Sequence, residues 1–174
     1  MDVAELLEAR GAREITHPGG TLLRHLFRVR DELEEWGARP DLSAAGSAHA
    51  FYGTDGFATA LGDLAERPVL AAAIGEEAER IVHLYASCDR GFTHRRLADG
   101  AFKDRFTGLV REIPFGDRCD FAELTVANEL DVLRHDAGLR ARYGRALSEL
   151  FASWDGLLSP RARAAVRAAF RTDR

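Results

Sequence analysis

Residues 17–56 read HPGGTLLRHLFRVRDELEEWGARPDLSAAGSAHAFYGTDG, and their periodicity decides the fold class. From Thr21 to Trp36, the residues Leu22, His25, Leu26, Val29, Leu33 and Trp36 recur at three- and four-residue spacing, which puts them on one face of a helix. Gly37 stands where a left-handed C-cap is usual. Pro40 and Asp41 restart the chain, and Leu42, Ala45 and His49 form a second helical stripe until Gly53 breaks it. Helices joined by so short a loop pack antiparallel. Two inward-facing histidines, His25 and His49, are thereby expected to share a pocket, because buried polar groups without partners cost about 1–3 kcal/mol each.

Outward from this stretch the same period continues. Val3, Leu6 and Leu7 share a face before Gly11, and ITHPGG reads as a loop. Pro68 suits the first turn of a short helix, VLAAAI. GEEAERIVHLYASC then reads as a helix with Glu76 and Glu77 at its positive end. FKDRFTGLVREIPF differs in kind, with β-formers on either side of Gly108, and predicts a small β-hairpin near residues 103–115. A strongly apolar helix is expected from about 118 to 135, and two more at about 137–153 and 160–171. Ser159 and Pro160 are the N-cap and first residue of the last. The expectation is an all-α chain, a single domain over 1–174 with one hairpin excursion.

Composition narrows the function classes. A chain of 174 residues can bury a core without disulfides or a structural metal. Its net charge is −4 and its arginines are scattered, which argues against nucleic acid, whose phosphates call for a basic stripe. No apolar run approaches the roughly 18–20 residues of a membrane span. The N-terminus lacks a signal-peptide core, so a cytoplasmic location and no membrane partner are expected. Cys88 and Cys119 have no CxxC spacing and read as packed thiols.

Several further residues bear on the pocket. A lone histidine on an apolar face is most often a satisfied core residue, but two on adjacent helices point to acid–base groups or metal ligands. Tyr52 and Thr54, in the loop after His49, supply a phenol and a hydroxyl beside it, and Asp55 reads as a turn or capping residue. Phe121, Leu124, Asn128 and Asp131 share one face of the 118–135 helix, so an amide and a carboxylate continue an apolar stripe and need partners. Asp89 and Arg90 form either an exposed ion pair or part of the pocket rim. His17 precedes two glycines that open the His25 helix, where backbone amides attract anions.

These features resemble the HD superfamily of helical metal-dependent phosphohydrolases, most of all its alarmone (guanosine tetraphosphate) hydrolase branch. There a Gly-containing loop leads into a helix that begins with a histidine ligand. About 24 residues on comes a second histidine followed at once by aspartate, and here His25 and His49 are 24 apart. IGEEAERIV at 74–82 resembles a Gly-Glu-Glu-Val-like phrase of that branch, and ANEL at 127–130 resembles its Ala-Asp-x-Leu phrase. The likeness covers roughly residues 15–135 and extends to an uncharacterised bacterial group of small HD-like proteins. Ala50 and Asn128 stand where the family has its metal aspartates, and the acidic pair used in alarmone hydrolysis is replaced around Gly53 and Thr54. The resemblance therefore implies an HD scaffold with a degenerate metal site, since those carboxylates hold the metal and activate its water.

Three readings of the pocket stay open. In the first, a small-molecule enzyme of lyase, isomerase or hydrolase type works without a cofactor, with His25 and His49 as acid–base groups and Tyr52 and Asp131 as catalytic partners. His17, Thr54, Asp89, Arg90 and Asn128 would then bind substrate. In the second, a divalent metal (iron, manganese or zinc) is held by His25, His49 and a carboxylate from Asp131, Asp55 or Asp89, for phosphoester hydrolysis or iron–oxygen chemistry. In the third, the domain binds a small ligand or a partner without catalysis. Trp154 and the face formed by Val166, Ala169 and Phe170 suit the core or a second copy equally, which leaves a homodimer open.

Overall fold

The computed structural model describes residues 2–171. It is built around α7 (Phe115–His135), which buries side chains on nearly all sides from Phe121 to Leu133. A helix buried all round is a central one. Against it pack α2 (Leu22–Glu35), α3 (Pro40–Gly46), α5 (Glu76–Ala86), α8 (Ala137–Ser153) and α9 (Pro160–Ala169). The shorter α1 (Val3–Ala9), α4 (Arg67–Ile74) and α6 (Arg90–Thr93) fill the periphery. The all-α class with a small hairpin is the observed one.

Several helix starts are fixed by side-chain caps. Asp2 and Glu5 form a capping box on α1, the Thr21 hydroxyl accepts from Arg24 N at the start of α2, and the Ser159 hydroxyl accepts from Ala162 N on α9. The apolar stripe of α2 enters the core as expected: Leu22, Leu26, Val29 and Leu33 are fully buried. Each such side chain contributes about 1.5–3 kcal/mol of burial. Trp154 and Phe170 join the same core.

Three elements depart from the sequence expectation. The hairpin is offset: β3 (Ala101–Lys103) pairs antiparallel with β4 (Val110–Glu112), so its first strand begins at Ala101, just after the left-handed Gly100. A second, smaller hairpin replaces the loop at ITHPGG. Its strands β1 (Thr16–His17) and β2 (Gly20–Thr21) flank Pro18 and Gly19, and Gly19 has the positive φ of 79° that the third position of a type II turn needs. The helix after Pro40 ends at Gly46, not near Gly53, and residues 47–52 continue as tighter turns.

Among the described residues no helix is long and apolar enough to cross a membrane. Both cysteines are free thiols, Cys88 buried and Cys119 partly so.

Candidate functional site

His25 projects from the buried face of α2 and is fully enclosed. Its Nδ1 lies 2.6 Å from Asp131 Oδ2 on α7. A carboxylate only accepts, so this nitrogen carries a proton, and in the neutral imidazole Nε2 is the bare one. Asp131 is in turn gripped by Arg28, three residues beyond His25 on the same helix, through Nε (2.7 Å) and Nη2 (2.8 Å). The same guanidinium donates to the carbonyls of Pro18 and Gly19, which ties the first hairpin's turn to the carboxylate that orients His25.

His49 arrives differently. Gly46 lies flush against α2, where an added Cβ would stand 2.8 Å from Leu33 Cδ1 and 3.2 Å from the Arg30 backbone. The Gly46 carbonyl, freed where α3 ends, accepts from His49 Nδ1 at 2.9 Å. His49 Nε2 is therefore also a lone pair, and it sits 3.3 Å from His25 Nε2.

Asn128 closes the cluster. Its Nδ2 donates to Glu129 (3.2 Å), which leaves Oδ1 facing His25 Nε2 at 3.0 Å and His49 Nε2 at 3.1 Å. Three acceptor atoms thus form a triangle of 3.0–3.3 Å sides with no hydrogen atom of their own between them. With His25 neutral, such an arrangement calls for a shared proton, a cation or a hydrogen-bond donor between the three atoms.

The cluster forms the floor of a cavity of about 610 Å³. His17 stacks on His25 with ring centroids 4.0 Å apart. Thr54, Arg90, His94 and Glu129 line the sides, and leucines of α7 and α8 form the opposite wall. Arg90 pairs with Glu129 at 3.1 Å, and its backbone N–H donates to Asp55.

Burial sets the electrostatics. It pushes the His49 imidazole down to about 3, with repulsion from His25 adding to the effect. Burial and the neighbouring His25 also bring His17 down to about 4, and burial with the Arg90 charge does the same to His94. All three rings are neutral at physiological pH. Burial would raise the Asp131 carboxyl, but the hydrogen bonds from His25 and Arg28 outweigh it and hold the group well below the usual carboxylate range.

His25, His49, Asn128 and Asp131 therefore meet in one place, with His17, Thr54 and Arg90 around them. Tyr52 and Asp89 do not join them. The Tyr52 hydroxyl donates to the buried Glu79 at 2.9 Å, and Arg67 holds the same carboxylate. Asp89 caps α6 and pairs with Lys103 at 2.8 Å. Each already has its partner outside the cavity lining. Sequence reasoning missed Arg28, Glu129 and His94. Arg28 had a signal, its three-residue spacing from an inward histidine. His94 had none, because only tertiary folding brings its short helix to the cavity.

Residues 6–90 match the model of a family described as Domain of unknown function (DUF6817). The matched span contains His17, His25, His49, Thr54 and Arg90 and stops short of α7, which supplies Asn128 and Asp131. No curated protein and no solved structure matches the chain.

Proposed function

We propose that the chain is a small-molecule enzyme in which His25 and His49 handle a proton at the floor of the cavity, on a scaffold resembling the HD superfamily. The observation that carries this reading is the donor-free triangle of His25 Nε2, His49 Nε2 and Asn128 Oδ1, with both Nδ1 atoms already committed to acceptors. A substrate proton taken up at His25 Nε2 finds two acceptors at once, while Asp131 stands behind the ring to balance the charge. Arg28 holds Asp131 in position. His49, kept neutral by burial, is the acceptor side of the pair. The step transfers one proton from substrate to imidazole and requires its return to product or solvent.

The same triangle favours a second reading. Acceptors spaced 3.0–3.3 Å apart are where cis ligands of a transition-metal ion fall at bond lengths of about 2.1 Å. Both rings also have their far nitrogen held by an acceptor, as metal-bound imidazoles do. His25, His49 and Asn128 would hold such an ion, and it would supply an activated water or an oxygen-binding position. The set fits an imidazole-preferring ion such as zinc or iron better than a hard cation. None of the carboxylates expected as third ligand is in the triangle: Asp131 serves His25 Nδ1 and Arg28, Asp55 the Arg90 backbone, and Asp89 Lys103. Among the described residues no three His, Cys, Asp or Glu side chains cluster with ligand spacing.

Metal analysis of the purified protein separates the two. The acid–base reading expects a chain that is folded and ligand-competent after chelation, with His25 and His49 as Nδ1–H tautomers in ¹⁵N NMR. Stoichiometric zinc, iron or manganese that disappears in both His25→Ala and His49→Ala selects the metal reading instead. If those substitutions leave all small-molecule binding untouched, the assignment of the site itself fails.

A further inference from the structure

Building on that reading of the cavity, we infer that its substrate is a neutral amphipathic molecule, with an apolar body along α8 and a hydroxyl or similar uncharged donor at the histidine end. The apolar wall is the first ground. Leu139, Tyr143, Leu147 and Leu150 repeat at helical spacing along α8 and all line the cavity. Yet α8 fully buries only Gly144 and Phe151, and Tyr143 remains 42 % exposed. An apolar helix face left half-covered at a cavity is unusual in a packed core. An apolar ligand would complete its burial.

The opposite end asks for hydrogen bonds. The triangle of His25, His49 and Asn128 presents acceptors and no donor. Nδ1 of His17 and Nε2 of His94, on two further residues of the same cavity, are buried without a hydrogen-bond partner. Orphaned polar atoms at a site call for a ligand group or water. A hydroxyl both donates and accepts, and so satisfies members of both sets.

Charge excludes the alternatives. Among the described residues, the formally charged side chains lining the cavity are Arg90 and Glu129, and they pair with each other at 3.1 Å. The carboxylate of Asp131, behind His25, is likewise neutralised by Arg28. A phosphate or carboxylate head would enter without a free cation, and an ammonium head without a free carboxylate. Burying either unpaired is costly.

Three probes of one chain length, 1-octanol, octanoate and octylammonium, test this at neutral pH by titration against protein carrying labelled leucine methyls and histidine rings. 1-Octanol is expected to move the Leu147, Leu150 and His94 signals and to bind about tenfold or more tighter than either ion. Equal or tighter binding of octanoate or octylammonium through those signals overturns the substrate class while leaving the site intact. Silence of every cavity signal with all three probes overturns the site reading too, and so does octanol binding confined to the α8–α9 surface. Leu147→Arg places a cation in the wall and is expected to reverse the order, with octanoate above 1-octanol. Unchanged affinities in that variant overturn the contact with α8. The comparison of probes on the unaltered chain stands if the variant does not fold.

Discussion

Asp131 works from behind His25. It accepts from Nδ1, on the far side of the ring from the triangle, and so decides which nitrogen is bare. Asp131→Asn should reverse that choice. The new amide donates to Nδ1, Nε2 takes the proton, and the His25 Nε2 signal moves from pyridine-like to pyrrole-like in ¹⁵N NMR. Arg28 loses its ionic partner in the same change, at about 2–3 kcal/mol in urea unfolding. A variant that keeps Nε2 unprotonated would contradict this role. Tyr52→Phe is the contrasting case. It removes the bond to Glu79 and should cost about 0.5–1.5 kcal/mol, yet leave probe binding in the cavity unchanged, because the phenol is spent on another surface. At this scale the sequence placed His25, His49, Asn128 and Asp131 on inward faces, and the structure brings these four side chains together. It had no means to separate Tyr52 from them, since nearness in sequence to His49 says nothing about where a side chain on a turn will point.

At the scale of elements, the site depends on how closely α3 lies against α2. Gly46 permits that approach, and its carbonyl orients His49. Gly46→Ala should push the two helices apart, lowering stability by about 1–3 kcal/mol and weakening the nuclear Overhauser contact between the two imidazoles. Retention of that contact at full stability would show that the close approach is not what positions His49. The long helices were legible because their apolar residues keep a 3.6 period over three turns or more. The early end of α3 was not, because Leu42, Ala45 and His49 keep a helical spacing across the point where the backbone tightens. The two-residue strands around Pro18 and Gly19 are too short for any alternation to register. Only the turn chemistry of Pro-Gly marked them.

For the molecule as a whole, three neutral histidines, His49 buried and His17 and His94 partly so, make stability depend on pH. His17, His49 and His94 are harder to protonate folded, at about 4, 3 and 4, than at the ordinary value near 6.5. The unfolded chain therefore takes up more protons below about pH 6.5, and stability should fall from there toward pH 4, by about 1.4 kcal/mol per pH unit for each histidine. Asp131, held below its usual range, acts in the same direction lower down, where its stabilisation is lost as pH falls below about 4. Urea midpoints at pH 7.5, 6 and 5 should show a plateau and then a steep decline, and His49→Gln should remove about one proton from the slope. A flat profile from pH 7 to 5 would mean that these rings are not held neutral by the fold in solution.

By itself, the sequence determined the helical class, most helix limits and the meeting of His25 with His49. Those rest on local period, on caps and on the short link between two amphipathic helices. The tertiary structure alone decided that Asn128 completes the triangle with Oδ1, that Arg28 and Asp131 choose the His25 tautomer, and that Arg90 and Glu129 cancel inside the cavity. Those contacts join residues 39 to 106 positions apart, and only the packing of α2, α6 and α7 brings them within hydrogen-bonding range.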